Sequence, residues 1–198
     1  MTHWLVIDLE ATTDEGGWPV EDMEVIEIGA VIVDANGREL SHFQSFVRPR
    51  LRAELTDFCR QLTHIRQSDI DAAPTLDRLW PRLEAWLLPH LGDLQGWLSW
   101  GNYDRQQLEV EWRNQQLSSC LASLPHFNLK QLFARHYRQT RRSRDRRQLG
   151  LNKALEVSGL SFAGTQHRGL DDARNIARLL PLSLPALIAA CQATQPPH

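Results

Sequence analysis

The chain has 198 residues, 42% of them hydrophobic and 23% charged, and its formal net charge is −2. Such a length can bury about 70% of the surface that the unfolded chain exposes, which suits one globular domain. The slight negative balance excludes a uniform basic field as the means of drawing in a partner.

The first element is an apolar run from about Trp4 to Glu10. Side chains in a strand alternate between faces, so Asp8 and Glu10 point the same way and Leu9 the other. A core strand thus ends on two adjacent like charges, each raising the cost of ionising the other. A glycine-rich loop, "EGGWP", follows, and then a second β-branched run, "VIEIGAVIV" (25–33). Asn36-Gly37 is a strong hairpin signal leading into a third strand around "LSHFQSFV", which Pro49 stops.

Helices dominate afterwards. Thr75 is placed to cap a helix with Leu76, Leu79, Trp80, Leu83, Trp86 and Leu87 at helical spacing, kinked at Pro81 or starting late. "GWLSW" (96–100) is a short strand, "RQQLEVEWRNQQL" a helix, and "HFNL" (126–129) a fifth short strand before another helix. Gly159 stops a helix through "LNKALEVS". A further helix begins near Asp171, with Ala173, Ile176, Ala177 and Leu180 on one face, and Pro181 is expected to end it. An early hairpin followed by alternating helix and strand predicts one mixed sheet covered by helices. One domain is expected over residues 1–198, with its core over about 3–180 and a C-terminal helix and short tail beyond.

Each chemically interesting residue also has an ordinary reading. Asp8-x-Glu10 is explained by a solvent-facing strand end, Asp104 by an N-cap, and Asp171 with Asp172 by the helix dipole. His167 can be a solvated loop histidine. Taken together, however, the order is Asp-x-Glu, then Asp, then His-x4-Asp. Four carboxylates gathered at the carboxyl end of a central strand are tolerable only around cations. Two divalent ions about 3.5–4 Å apart make such a cluster a phosphoryl-transfer site. Hard oxygen ligands suit Mg²⁺ or Mn²⁺ rather than zinc, and a histidine near neutral pKa can take a proton from attacking water.

The blocks "VIDLEAT", "EVIEIGAVIVD", "LTHIRQSDID", "SWGNYD" and "HRGLDDARNIARLL" resemble, in order and over roughly residues 3–180, the DEDD exonucleases of the histidine subtype. Within that group they are most similar to the 3′ histone-mRNA exonuclease branch and its bacterial relatives. A tyrosine subtype has tyrosine four residues before the last aspartate, where this chain has Arg168; His167 stands five before Asp172. The resemblance implies a ribonuclease-H-like α/β fold with a mixed five-stranded sheet, strand two running against the others. It also implies Asp8, Glu10, Asp104 and Asp172 as ligands of two Mg²⁺, with Mn²⁺ as a substitute, and His167 as general base. Glu10 would serve both the metal chemistry and the terminal nucleotide. Ala11 and Thr12 would lie against the 3′-terminal sugar, partly through backbone N–H groups. Asp171 is left as a helix-start residue. Thr13 stands where close relatives would have cysteine. The partners implied are 3′ ends of single-stranded RNA or DNA and a nucleoside monophosphate product, with no membrane.

All but two of the 22 basic residues are arginine, the exceptions being Lys130 and Lys153, and seven of the arginines fall between Arg135 and Arg147. That stretch reads either as a solvated face or as a phosphate-binding arm. Trp100 and Tyr103 flank the Asp104 block and could stack on bases, although core packing is the ordinary reading of Trp100. Cys59, Cys120 and Cys191 have no metal-knuckle spacing and read as reduced thiols of a cytoplasmic protein. No signal peptide is expected, because Asp8 and Glu10 interrupt the first apolar run.

Two rivals stand beside the exonuclease reading. A haloacid-dehalogenase-type phosphatase would use Asp8 as a nucleophile but normally has aspartate where Glu10 stands. A non-catalytic or regulatory nucleic-acid-binding module on the same fold would keep the site and exclude the substrate.

Overall fold

A computed structural model describes residues 2–141 and 148–194. Its strands are β1 (His3–Ala11), β2 (Val25–Asp34), β3 (Glu39–Phe46), β4 (Leu94–Ser99) and β5 (His126–Asn128). Its helices are α1 (Asp57–Thr63), α2 (Gln67–Asp71), α3 (Leu76–Leu87), α4 (Tyr103–Gln115), α5 (Leu129–Arg141), α6 (Leu151–Val157), α7 (Gly169–Arg178) and α8 (Leu180–Thr194).

The strands form one sheet in the order β3-β2-β1-β4-β5. β1 is antiparallel to β2 and parallel to β4, β2 is antiparallel to β3, and β4 is parallel to β5. Strand β2 therefore runs against the other four, as the resemblance implies. Central β1 is buried on both sides. Leu5, Ile7 and Leu9 join one apolar cluster with Leu79, Trp80 and Leu83 of α3. Trp4 and Val6 join the other with Leu132 of α5 and Ala173 and Ile176 of α7. Asp8 and Glu10 continue the Trp4–Val6 face, so alternation alone delivers both acids to the side covered by α7.

Two helices follow β3 before α3, namely α1 and α2, which the apolar spacing did not single out. α1 is capped by the Thr56 hydroxyl, which accepts the Cys59 N–H at 3.0 Å. Pro81 lies inside α3, and the helix nevertheless starts at Leu76. The buried stripe of Leu76, Leu79, Trp80, Leu83 and Leu87 outweighs the missing N–H. Pro181 ends nothing. α7 stops at Arg178, and Pro181 sits in the first turn of α8, where an N–H has no intrahelical partner anyway. α7 also starts earlier than expected, at Gly169, which puts Asp171 and Asp172 in its first turn.

A glycine contact positions α7. A Cβ at Gly29 of β2 would lie 1.9 Å from the Gly169 carbonyl carbon and 2.0 Å from the Leu170 nitrogen. A Cβ at Gly169 would lie 3.0 Å from the Asp8 carbonyl oxygen. The first turn of α7 thus rests directly on the backbone of β1 and β2, closer than any side chain would permit.

Among the described residues no single helix is long and apolar enough to cross a membrane. Arg142, Arg144, Arg146 and Arg147 of the arginine-rich stretch lie outside the described residues.

Candidate active site

Ligand atoms of Asp8, Glu10 and Asp172 all lie within 4.8 Å of one another. β1 supplies the first two from one face, and α7, seated by the Gly29–Gly169 contact, brings the third. Asp104 approaches from the first turn of α4, whose N-cap is Asn102 rather than Asp104 itself. Its carboxylate accepts the buried Leu9 N–H at 3.0 Å, which ties α4 to β1. The ordinary N-cap reading of Asp104 therefore does not describe its side chain.

The electrostatics are those of anions short of a counter-charge. Burial, then Asp104, Glu10, Asp172 and Glu27, push the Asp8 carboxyl well above its usual range. Burial, then Asp172, Glu27 and Asp104, do the same to Glu10, opposed by Arg168. Burial pushes Asp104 up to about 6 against the Leu9 N–H bond, and Asp172 up to about 6 against N–H bonds from Arg168 and His167. The protein holds four carboxyl groups where each hinders the ionisation of others. Divalent cations are the ligands such a donor set fits, and all its donors are hard oxygens.

His167 occupies the loop leading into α7 with a left-handed backbone, φ 58°. The Arg168 N–H donates to Asp172 Oδ2 at 3.1 Å, so the loop is closed onto the acid that the resemblance selects. Asp171 faces elsewhere, accepting the Thr165 N–H at 2.8 Å. Partial burial and the neighbouring His64 hold the His167 imidazole below its ordinary range. His64 caps the C-terminus of α1, also at φ 58°. α1 is itself pinned to the end of β1. The Thr56 hydroxyl donates to the Thr13 carbonyl at 2.6 Å, and Cys59 Sγ lies 3.7 Å from the Ala11 carbonyl.

Ala11 and Thr12 stand at the end of β1, both buried. The Thr12 N–H is already committed to the Glu24 carbonyl at 2.8 Å, and its hydroxyl accepts the Glu24 N–H at 2.9 Å. Tyr103 opens α4, its hydroxyl 3.3 Å from Gln107 Oε1. Trp100 packs against Phe133 with ring centroids 5.8 Å apart, as a core residue would.

Sequence reasoning missed Glu27. It pairs directly with Glu10 in the β1–β2 register and is fully buried. Arg168 forks onto it, Nε to Oε2 at 3.1 Å and Nη2 to Oε1 at 3.2 Å, while the Gly169 N–H and the Gln44 amide complete its bonding. The residue at the place diagnostic of the tyrosine subtype thus neutralises a buried acid and holds down the loop that carries His167. A faint signal existed in "VIEIGAVIV", where an acid interrupts an otherwise apolar strand.

Comparison with known proteins agrees with the site. A family model described as "Exonuclease" matches residues 5–180. Human "3'-5' exoribonuclease 1" is 31% identical over 179 residues, an alignment covering 88% of this chain and 50% of that protein. The fission yeast "3'-5' exonuclease eri1" is 26% identical over 208 residues, covering 91% of this chain and 67% of that one. The chain thus spans about half the length of the human relative. Among solved structures, the nuclease domain of 3'hExo, described as a DEDDh family member bound to rAMP, superposes with a TM-score of 0.79 at 29% identity. That match covers 96% of this chain and 94% of the other. With four acids and a histidine at the carboxyl end of β1 and a match over most of its length, the chain belongs to the DEDDh exonuclease family, on the branch that includes 3'hExo.

Proposed function

We propose that the protein is a metal-dependent 3′→5′ exonuclease that hydrolyses single-stranded nucleic acid to 5′-mononucleotides. The observation that carries this reading is the meeting of Asp8, Glu10 and Asp172 within 4.8 Å, with Asp104 tied in through Leu9. Asp8, Glu10, Asp104 and Asp172 would hold two Mg²⁺, or Mn²⁺ in their place. Bound there, the ions supply Lewis acidity that sharpens a water nucleophile and stabilises charge on the phosphate.

The remaining roles belong to the chain. Glu10 orients the 3′-terminal residue and the water. His167, kept neutral by partial burial and His64, takes the proton at an imidazole nitrogen. Arg168, forked onto Glu27, fixes the loop that aims the imidazole. Ala11 and Thr12 form the surface against the terminal sugar, with Tyr103 beside them. RNA is favoured as the substrate because the human relative is called an exoribonuclease. The full complement of acids and histidine speaks against a silent binding module.

The test is digestion of matched 5′-labelled RNA and DNA oligonucleotides in Mg²⁺, Mn²⁺ or chelator. A descending ladder that vanishes with chelator and in Asp8→Asn is expected. Internal cuts alone, or full activity in Asp8→Asn, would overturn the reading.

A further inference from the structure

Two adjoining hollows lie beyond the acids toward the β5 edge of the sheet, with volumes of about 300 and 450 Å³. The smaller is bounded by Asn102, Arg105, Asn128, Gln131 and Arg135. Arg135 and Ala190 line both, so the two are continuous from the start of α4 to the α5–α8 packing. From these observations we infer that this groove is a track for the phosphodiester backbone upstream of the 3′-terminal nucleotide, read by Arg105 and Arg135.

Position comes first. β1, β4 and β5 run parallel, so their carboxyl ends lie along one edge of the sheet. Asn102 follows β4 and stands two residues before Asp104, while Asn128 ends β5. The groove therefore opens near the edge of the sheet where the acids themselves sit.

Rigidity comes second. The Asn128 amide donates to Asn102 Oδ1 at 3.1 Å, and its own carbonyl oxygen accepts the Gln131 N–H at 3.0 Å. These bonds stitch the β4–α4 connection to the β5–α5 connection. Beneath them, His126 Nε2 lies 2.9 Å from Ser99 Oγ. The floor is thus built before a ligand arrives, which lowers the cost of binding.

Charge comes third. No carboxylate lines either hollow, although acids outnumber bases in the chain, 24 to 22. Among the described residues the Arg105 side chain is 43% exposed and makes only a long contact with Glu109, Nε to Oε1 at 3.8 Å. A part-exposed guanidinium fits a phosphate oxygen, and amides such as Gln131 fit sugar hydroxyls or base edges. The smaller hollow is walled mostly by polar side chains, whereas Pro185, Ala186, Ala189 and Ala190 line the larger one beside Arg135, His136 and Gln139.

This inference rests on the exonuclease reading, and the experiment separates the two. Wild type, Arg105→Ala/Arg135→Ala and Arg105→Lys/Arg135→Lys are compared on 5′-labelled oligonucleotides of two and of twelve nucleotides. Hydrolysis in Mg²⁺ and equilibrium binding in chelator, by fluorescence anisotropy, are both recorded across a salt series. The alanine pair should raise KM for the twelve-mer by about tenfold and leave kcat and dinucleotide hydrolysis unchanged. Its binding should lose about 1.4 from the slope of log K against log salt, the amount for two contacts to a single strand. The lysine pair should keep most of that slope. Equal losses on both lengths, or an unchanged slope, would overturn the track. Should wild type digest no oligonucleotide, the exonuclease reading falls, while the slope in the binding arm still decides whether these arginines meet phosphate.

Discussion

Glu10 and Glu27 face each other across the β1–β2 ladder, two acids in direct register inside the sheet. Like charges so placed destabilise a strand pair, and only Glu27 has its own guanidinium. The two acids are thereby given different fates. Glu27 is closed off by Arg168, Gly169 and Gln44, whereas Glu10 stays in the cluster with Asp8 and Asp172.

Breaking the buried pair should be costly. Arg168→Ala strands the Glu27 charge beside Glu10 and is expected to lower stability by about 3–5 kcal/mol. It should also release the His167 loop and reduce kcat. Thermal unfolding and single-turnover rates check this, and Arg168→Lys, which keeps the charge but loses the fork, should fall between.

The acid cluster sets a pH dependence that divalent ions should reverse. Asp104 and Asp172 titrate at about 6 in the fold, against about 4 for an aspartate in an unfolded chain. A raised carboxyl pKa means the fold retains protons the unfolded chain has released. That contribution is whole below about pH 4 and is lost as pH rises through about 6. In chelator, Tm should therefore fall across this window. Added Mg²⁺ should raise Tm more at pH 8 than at pH 5, and Asp172→Asn should flatten the chelator profile.

His167→Ala should lower kcat by about 10²–10⁴, the usual worth of a general base. Mg²⁺ binding, followed by calorimetry, should change little. Because His64 helps hold His167 below the ordinary imidazole range, His64→Ala should let that pKa rise. A base works in its neutral form, so the acid limb of kcat/KM should move to higher pH.

Gly29→Ala tests the seating of α7. The added methyl meets the Gly169 carbonyl carbon at 1.9 Å, and only backbone movement can relieve that overlap. A loss of at least about 1–3 kcal/mol is expected from overpacking. The rate should fall as well, because displacing α7 displaces Asp172 and His167 together. Gly92→Ala, where a Cβ meets nothing within 4 Å, is the control.

Much of this was legible in the chain because alternation and spacing are local. Asp8 and Glu10 share a face by strand geometry, whereas Asp172 was separable from Asp171 only through the spacing of the family it resembles. The hairpin at Asn36-Gly37 and the short strands followed from turn chemistry in the same way. What stayed hidden depends on contacts distant in sequence. Glu27 looks like one more strand residue until Arg168 closes on it, and Gly29 is unremarkable until Gly169 lies against it. Pro81 and Pro181 misled for a related reason. A proline marks a break only when packing or helix position does not already absorb the missing N–H, and that is decided by the rest of the fold.

The seat formed by Gly29 and Gly169 also sets a schedule for the enzyme. Half of the acid cluster is near the start of the chain, while Asp172 and His167 arrive more than 150 residues later. A ribosome-bound chain that ends before α7 carries Asp8, Glu10 and Asp104 but neither Asp172 nor His167. On the proposed reading, nuclease activity would switch on only when the late helix lands on two early strands, so catalysis would itself report that the sheet is complete.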